Sequence, residues 1–213
     1  MRRWIPALLI AADLAFVAAV YTMLPDRLPV HWGWSGEPDG WASRPVAAFG
    51  LSALTLAMWG VLAGFPSIDP RNPNIRKFRP SYDITVIALV GFLVAVHVAT
   101  LGLALGWPIR LDTVVALGIG ALFLVIGNYL PRARSNFTFG IRTPWTLTDD
   151  RVWARSHRIG GYLMVGAGLA CIGAAFLPGT WPITVVLGAA VVAAIGSVAY
   201  SYVAWTRARD GER

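Results

Sequence analysis

The chain has 213 residues, of which 56% are hydrophobic and 14% charged, with a net charge of +7. A water-soluble domain cannot turn that much apolar surface inward with so few charges outside. The charges lie between long apolar runs, so the positive balance speaks of orientation in a membrane and contact with anionic lipid heads, not of nucleic-acid binding.

In chain order, six runs are long enough to cross the hydrocarbon core, which takes about 20 apolar residues as a helix. They are residues 4–24, 46–65, 84–105, 113–130, 161–176 (with a lead-in from Ile159) and 182–205, the fifth being the shortest. Ala, Leu, Val and Gly recur in them without the polar alternation of a barrel strand, so each is read as a helix. Met1-Arg2-Arg3 before an apolar stretch has the look of a signal peptide. The stretch is too long for a typical signal core and no small-residue cleavage site precedes Pro25, so a retained first helix is expected.

The basic residues fall on two sides. Arg2, Arg3, Arg71, Arg76, Lys77, Arg79, Arg132, Arg134, Arg142, Arg151, Arg155, Arg158, Arg207, Arg209 and Arg213 share one face, and only Arg27, Arg44 and Arg110 fall on the other. The positive-inside rule makes the rich face cytoplasmic. The expected fold class is therefore all-α integral membrane, with six spans and both termini inside. Two blocks are expected, residues 1–110 and 111–213. Most tryptophans sit near interfaces, as belt residues do, with Trp59 deeper in a span. Cys171, alone in an apolar run, is read as a small buried residue.

Two loops carry composition of interest. The outer loop, residues 25–45, is compact and aromatic. Pro25 and Pro29 stop the first helix, and Glu37-Pro38-Asp39-Gly40 has the make-up of a tight turn. His31, Glu37 and Asp39 are weak metal candidates, since their spacing matches no standard site; a hydrogen-bonded His in a folded cap is the commoner arrangement. The inner loop, residues 127–161, ends in a predicted short helix at 149–158 with Thr148 as its N-cap and Asp149 and Asp150 at its positive end. Val152, Trp153 and Ile159 give it an apolar side, and Arg151, Arg155 and Arg158 a basic one, so it is expected to lie along the membrane surface.

The inner loop reads Gly127-Asn128-Tyr129-Leu130-Pro131, then Gly140-Ile141-Arg142-Thr143-Pro144-Trp145-Thr146-Leu147, then Val152-Trp153, then His157-Arg158-x-Gly160-Gly161. This run resembles the signature of the SdpI family of bacterial membrane proteins. The outer loop, Leu28-Pro29-x-His31-Trp32 with Gly36, Asp39 and Gly40, is similar to a domain of unknown function that often accompanies it. The resemblance implies a multi-pass protein of the bacterial cytoplasmic membrane that gives immunity to a secreted peptide toxin. It also implies signalling, by holding a transcriptional regulator at the inner face. The site residues it implies are Asn128, Gly140, Arg142, Thr143, Pro144, Trp145, Thr146, Trp153, His157, Arg158 and Gly160, with His31, Gly36 and Asp39 in the outer loop. Asn128 is expected to fix the loop by bonding its backbone.

Two polar groups fall inside spans. Asp13 and His97 both lie within a few residues of mid-depth, where a charge is expensive unless paired, so each faces the bundle and is a functional candidate. A direct pair is one arrangement; separate hydrogen bonds to a carbonyl or a hydroxyl are the expected one. Gly166, Ala170 and Ala174 on the fifth run, and Ala189/Ala193 and Ala190/Ala194 on the sixth, follow a small-xxx-small pattern, which predicts close packing of those two helices. The alternatives to immunity are a small intramembrane enzyme, with or without a metal, and a transporter using Asp13 and His97. The sequence holds no HExxH or GxSxG motif and its three histidines are spread over different depths, which counts against catalysis; loop lengths that do not mirror each other count against an inverted-repeat transporter; no cofactor is expected.

Overall fold

A computed structural model describes residues 4–210; Arg2, Arg3 and Arg213 of the orientation count lie outside these residues. The elements are α1 (Ile5–Val20), β1 (Arg27–Trp32), β2 (Pro38–Ser43), α2 (Arg44–Ile68), α3 (Asn72–Lys77), α4 (Arg79–Ala104), α5 (Leu111–Tyr129), α6 (Pro144–Thr148), α7 (Asp150–Ala174) and α8 (Trp181–Asp210). Proline stands in the first turn of α1, α2, α3, α4 and α6, where its missing N–H is no loss. Among the described residues, five helices are long and apolar enough to cross a membrane: α1 with its 3-10 extension to Met23, α2, α4, α5 with its extension to Arg132, and α8. Their outward faces carry bare apolar side chains such as Leu8, Leu54, Val192 and Ile195, which lipid would cover. The chain is thus a mostly helical, multi-pass membrane protein.

The fifth predicted run is the second part of α7. The short surface helix expected at 149–158 is not a separate element: it forms the first turns of one unbroken helix of 25 residues. Its apolar side does not rest on the membrane, because Val152, Trp153, Ser156 and His157 are buried against the protein. Gly160 and Gly161 do not break the helix, since both are clamped by neighbours. The basic side is as expected, with Arg151, Arg155 and Arg158 exposed. Asp149, not Thr148, caps the helix by accepting from the Arg151 and Val152 N–H groups at 2.6 and 3.2 Å. Thr148 donates back to the Pro144 carbonyl instead.

Packing runs through the chain in order. Helices α1, α2 and α4 pack on one another, α4 packs on α5, and α5 and α8 both pack on α7. Between α5 and α7 the backbones themselves approach closely. A Cβ placed on Gly127 would meet the Gly161 carbonyl at 2.7 Å, and one on Gly168 would meet the Gly120 carbonyl at 2.7 Å. Thr113 donates to the Ala175 carbonyl at 3.2 Å one heptad further along. Thr113, Gly120 and Gly127 thus face Ala175, Gly168 and Gly161 in antiparallel register. Backbones meet there, which is how helices associate where lipid removes the hydrophobic drive. The close packing expected between the fifth and sixth runs is present as α7 on α8, although Gly166 takes no part in it and has open space around it. Cys171 is fully buried in this seam with Ala116, Ala175 and Val186.

The outer loop is an antiparallel hairpin. Its turn lies at Gly33–Gly36, one step earlier than the Pro38 turn expected: the Gly36 N–H donates to the Gly33 carbonyl at 3.0 Å, and the Gly33 N–H to that of Glu37 at 2.9 Å. Gly36 has φ +83°, which glycine alone adopts freely, so Pro38 is left to open β2. The base of the hairpin is anchored by Leu28, fully buried with Leu24, Val17, Ala48 and Leu101.

Candidate functional sites

The first candidate lies between α1, α2 and α4. Asp13 and His97 are both 2% exposed and meet directly, Nδ1 of His97 lying 2.9 Å from Asp13 Oδ1. The expectation of separate hydrogen bonds is overturned, because Ser52 touches both groups and holds them together. Ser52 of α2 donates to Asp13 Oδ2 at 2.6 Å and sits 3.3 Å from His97 Nδ1. Three helices thereby share one buried polar knot. The far nitrogen of His97, Nε2, faces the Ala47 carbonyl at 3.4 Å. Ser52 carries no motif; a serine facing mid-depth was the only signal available.

The second candidate is the loop from Arg132 to Thr148 with the start of α7, where most signature residues converge. His157 is fully buried. Its Nδ1 meets the Trp153 carbonyl at 2.8 Å, and its Nε2 accepts the Ile141 N–H at 3.0 Å. Those two partners fix the neutral ring with its proton on Nδ1. Burial pushes its pKa down to about 4, the bond to the Trp153 carbonyl opposing. Trp153 stacks on the imidazole with centroids 3.9 Å apart, and its indole N–H donates to the Ala133 carbonyl at 2.8 Å. Gly140 has φ +120°, and a Cβ there would lie 2.2 Å from His157 Nε2. Thr143 and Thr146 form a capping box at the start of α6, with Pro144 in its first turn. Thr146 also donates to the Ile141 carbonyl at 2.8 Å. The Trp145 N–H donates to Ser201 of α8 at 2.8 Å, and its ring meets Tyr202 and Trp205. Arg142 donates to the Phe137 carbonyl at 2.5 Å. Gly160 lies under Ile141. Arg158 remains exposed.

Asn128 does not fix this loop. It is exposed and donates to the Leu124 carbonyl of its own helix. The fully buried Asn136 takes the part: its Nδ2 donates to the Arg134 and Phe139 carbonyls, and its Oδ1 accepts the N–H groups of Thr138 and Phe139. The loop is also held from outside the signature. Asp69, just after α2, accepts the Phe137 N–H at 2.9 Å and the Thr138 hydroxyl at 2.6 Å. Arg71 donates to Ser135 and to the Leu147 carbonyl, and Asn74 to the Ser135 carbonyl. An open cleft of about 570 Å³ beside these contacts is lined by Arg71, Asn74, Leu147, Thr148 and Asp149.

In the outer hairpin, His31 Nδ1 and Asp39 Oδ1 pair at 2.5 Å with both side chains largely exposed. Gly40 lies beneath His31, where a Cβ would come within 2.8 Å of the His31 Cβ. The proposed trio with Glu37 does not form: among the described residues no three His, Cys, Asp or Glu side chains converge as metal ligands.

Fold and sites together define a multi-pass helical membrane protein with a polar knot among its first helices and a locked loop at one end of the bundle. Residues 132–201 match the SdpI/YfhL protein family, and residues 8–56 match a domain of unknown function, DUF1648. The chain is similar to the "Immunity protein SdpI" of Bacillus subtilis (strain 168), with 24% identity over 196 residues, covering 91% of this chain and 92% of that protein. No solved structure matches. The chain is thus similar to the SdpI family over residues 132–201, with a DUF1648 match ahead of that segment.

Proposed function

We propose that this protein sits in the bacterial cytoplasmic membrane and gives immunity to a secreted antimicrobial peptide. The observation that carries the reading is likeness to an immunity protein along nearly the whole chain. In this reading the apolar second part of α7 is the sixth crossing. Both termini lie inside, following the uneven distribution of arginine and lysine, and the chain divides into blocks 1–110 and 111–213. The hairpin, with Trp34 and Trp41 exposed, then faces the toxin. The locked loop faces the cytoplasm, and its cleft is the docking place for a transcriptional regulator. The test is expression in a strain sensitive to such a peptide: tolerance is expected, together with recruitment of a regulator to the membrane. Sensitivity unchanged at normal membrane levels overturns it.

One observation favours a second reading, transport through the Asp13–Ser52–His97 knot. A serine nucleophile needs its hydroxyl on one imidazole nitrogen and the carboxylate on the other. Here Asp13 and Ser52 both approach Nδ1, so this reading takes the form of transport rather than hydrolysis. Proton or ion movement in vesicles that is lost in Asp13→Asn would favour it; equal leak in both proteins would sink it.

A further inference from the structure

We propose that the cavity at the ends of α2 and α4 binds the phosphate headgroup of an anionic phospholipid. The cavity measures about 350 Å³; Ala63, Pro66 and Ile75 give its apolar lining, and Ser67, Asn72, Arg76 and Arg79 its polar rim. The rim is built rather than loose. Asn72 donates to the Pro66 carbonyl and accepts from Arg76 Nε at 3.0 Å, which holds that guanidinium over the opening. Among the described residues no carboxylate pairs with Arg76. Arg79 binds Asp83 through Nε alone, at 2.7 Å, so that bond leaves its two terminal nitrogens uncommitted. Two guanidinium charges against one carboxylate leave a surplus of one, which a phosphodiester neutralises, and guanidinium groups match phosphate oxygens in pairs.

Location supplies the second half of the argument. The cavity opens where two candidate spans end, the level at which lipid headgroups lie. Directly along α2 the side chains of Val61, Phe65 and Ile68 are 51%, 41% and 74% exposed. Acyl chains would cover that strip while the head occupies the cavity. Inorganic phosphate shares the oxyanion chemistry but leaves the strip bare, so the lipid is the occupant assigned. Basic pockets between spans are a known form of headgroup site.

The test is native mass spectrometry of the purified full chain with phosphatidylglycerol or phosphatidylcholine added in detergent. Wild type should retain the anionic lipid over the zwitterionic one by about tenfold, and R76Q/R79Q should fall to near parity. R207Q/R209Q removes the same charge at another place and should keep the preference. If R76Q/R79Q does not fold, R76K/R79K is read instead. It keeps the charge but loses paired geometry, and an intermediate preference is expected. Parity in wild type, equal loss in both glutamine variants, or displacement of the lipid by excess inorganic phosphate overturns the proposal.

Discussion

Substituting alanine for Gly140 should unlock the signature loop. The added Cβ would stand 2.2 Å from His157 Nε2, the atom that accepts the Ile141 N–H. Either the ring or the loop must move, and the ring is pinned by the Trp153 stack and the Trp153 carbonyl. A buried N–H left without its acceptor costs about 1–3 kcal/mol. The backbone at φ +120° adds about 1–3 kcal/mol for a residue with a side chain. The expected destabilisation is therefore about 2–6 kcal/mol, several degrees or more in Tm. Gly166→Ala is the internal control: it lies in a helix with open space around it, so it should cost nothing. Thermal unfolding in detergent, followed by tryptophan fluorescence, reads both. Equal Tm for Gly140→Ala and Gly166→Ala would refute the reasoning.

Three further outcomes are expected. Gly127→Ile should force α5 from α7 and destabilise by about 1–3 kcal/mol, seen as a lowered Tm, because the Cβ already meets the Gly161 carbonyl at 2.7 Å. Asp69→Ala strands the Phe137 N–H and the Thr138 hydroxyl and should cost about 2–4 kcal/mol; it should also speed proteolysis within residues 133–142, which an intact loop resists. Acid should loosen the same loop: His157 holds a folded pKa of about 4, below its ordinary 6.5, so the unfolded chain takes the proton first. This contribution is whole above pH 6.5 and declines as pH falls from 6.5 toward 4; a His157→Gln variant should show a flatter stability profile over that window.

The helices were legible because apolar runs of the needed length are bounded by proline and arginine. The signature residues were legible in part: His157, Trp153, Gly140 and Thr146 meet as a unit, which their spacing hinted at. What holds that unit was not. Asp69 and Arg71 reach it across more than sixty residues of chain, and no local pattern announces such a contact. Ser52 is equally illegible, since it joins Asp13 and His97 across 39 and 45 residues of chain. Small residues four apart pointed to the packing of α7 on α8, which is present; the α5–α7 seam uses glycines seven apart, a spacing that pattern does not include. The surface helix failed on a different ground: its apolar stripe was real, but protein rather than lipid covers it.

The account depends above all on the hairpin and the locked loop lying on opposite sides of the membrane. Cysteine labelling decides this directly. In a Cys171→Ser background, Ser35→Cys at the hairpin turn and Thr148→Cys at the loop are treated in intact cells with a membrane-impermeant maleimide. Labelling of the first at once, and of the second only after the cells are opened, is the expected result. Both positions reacting from the same side would contradict it.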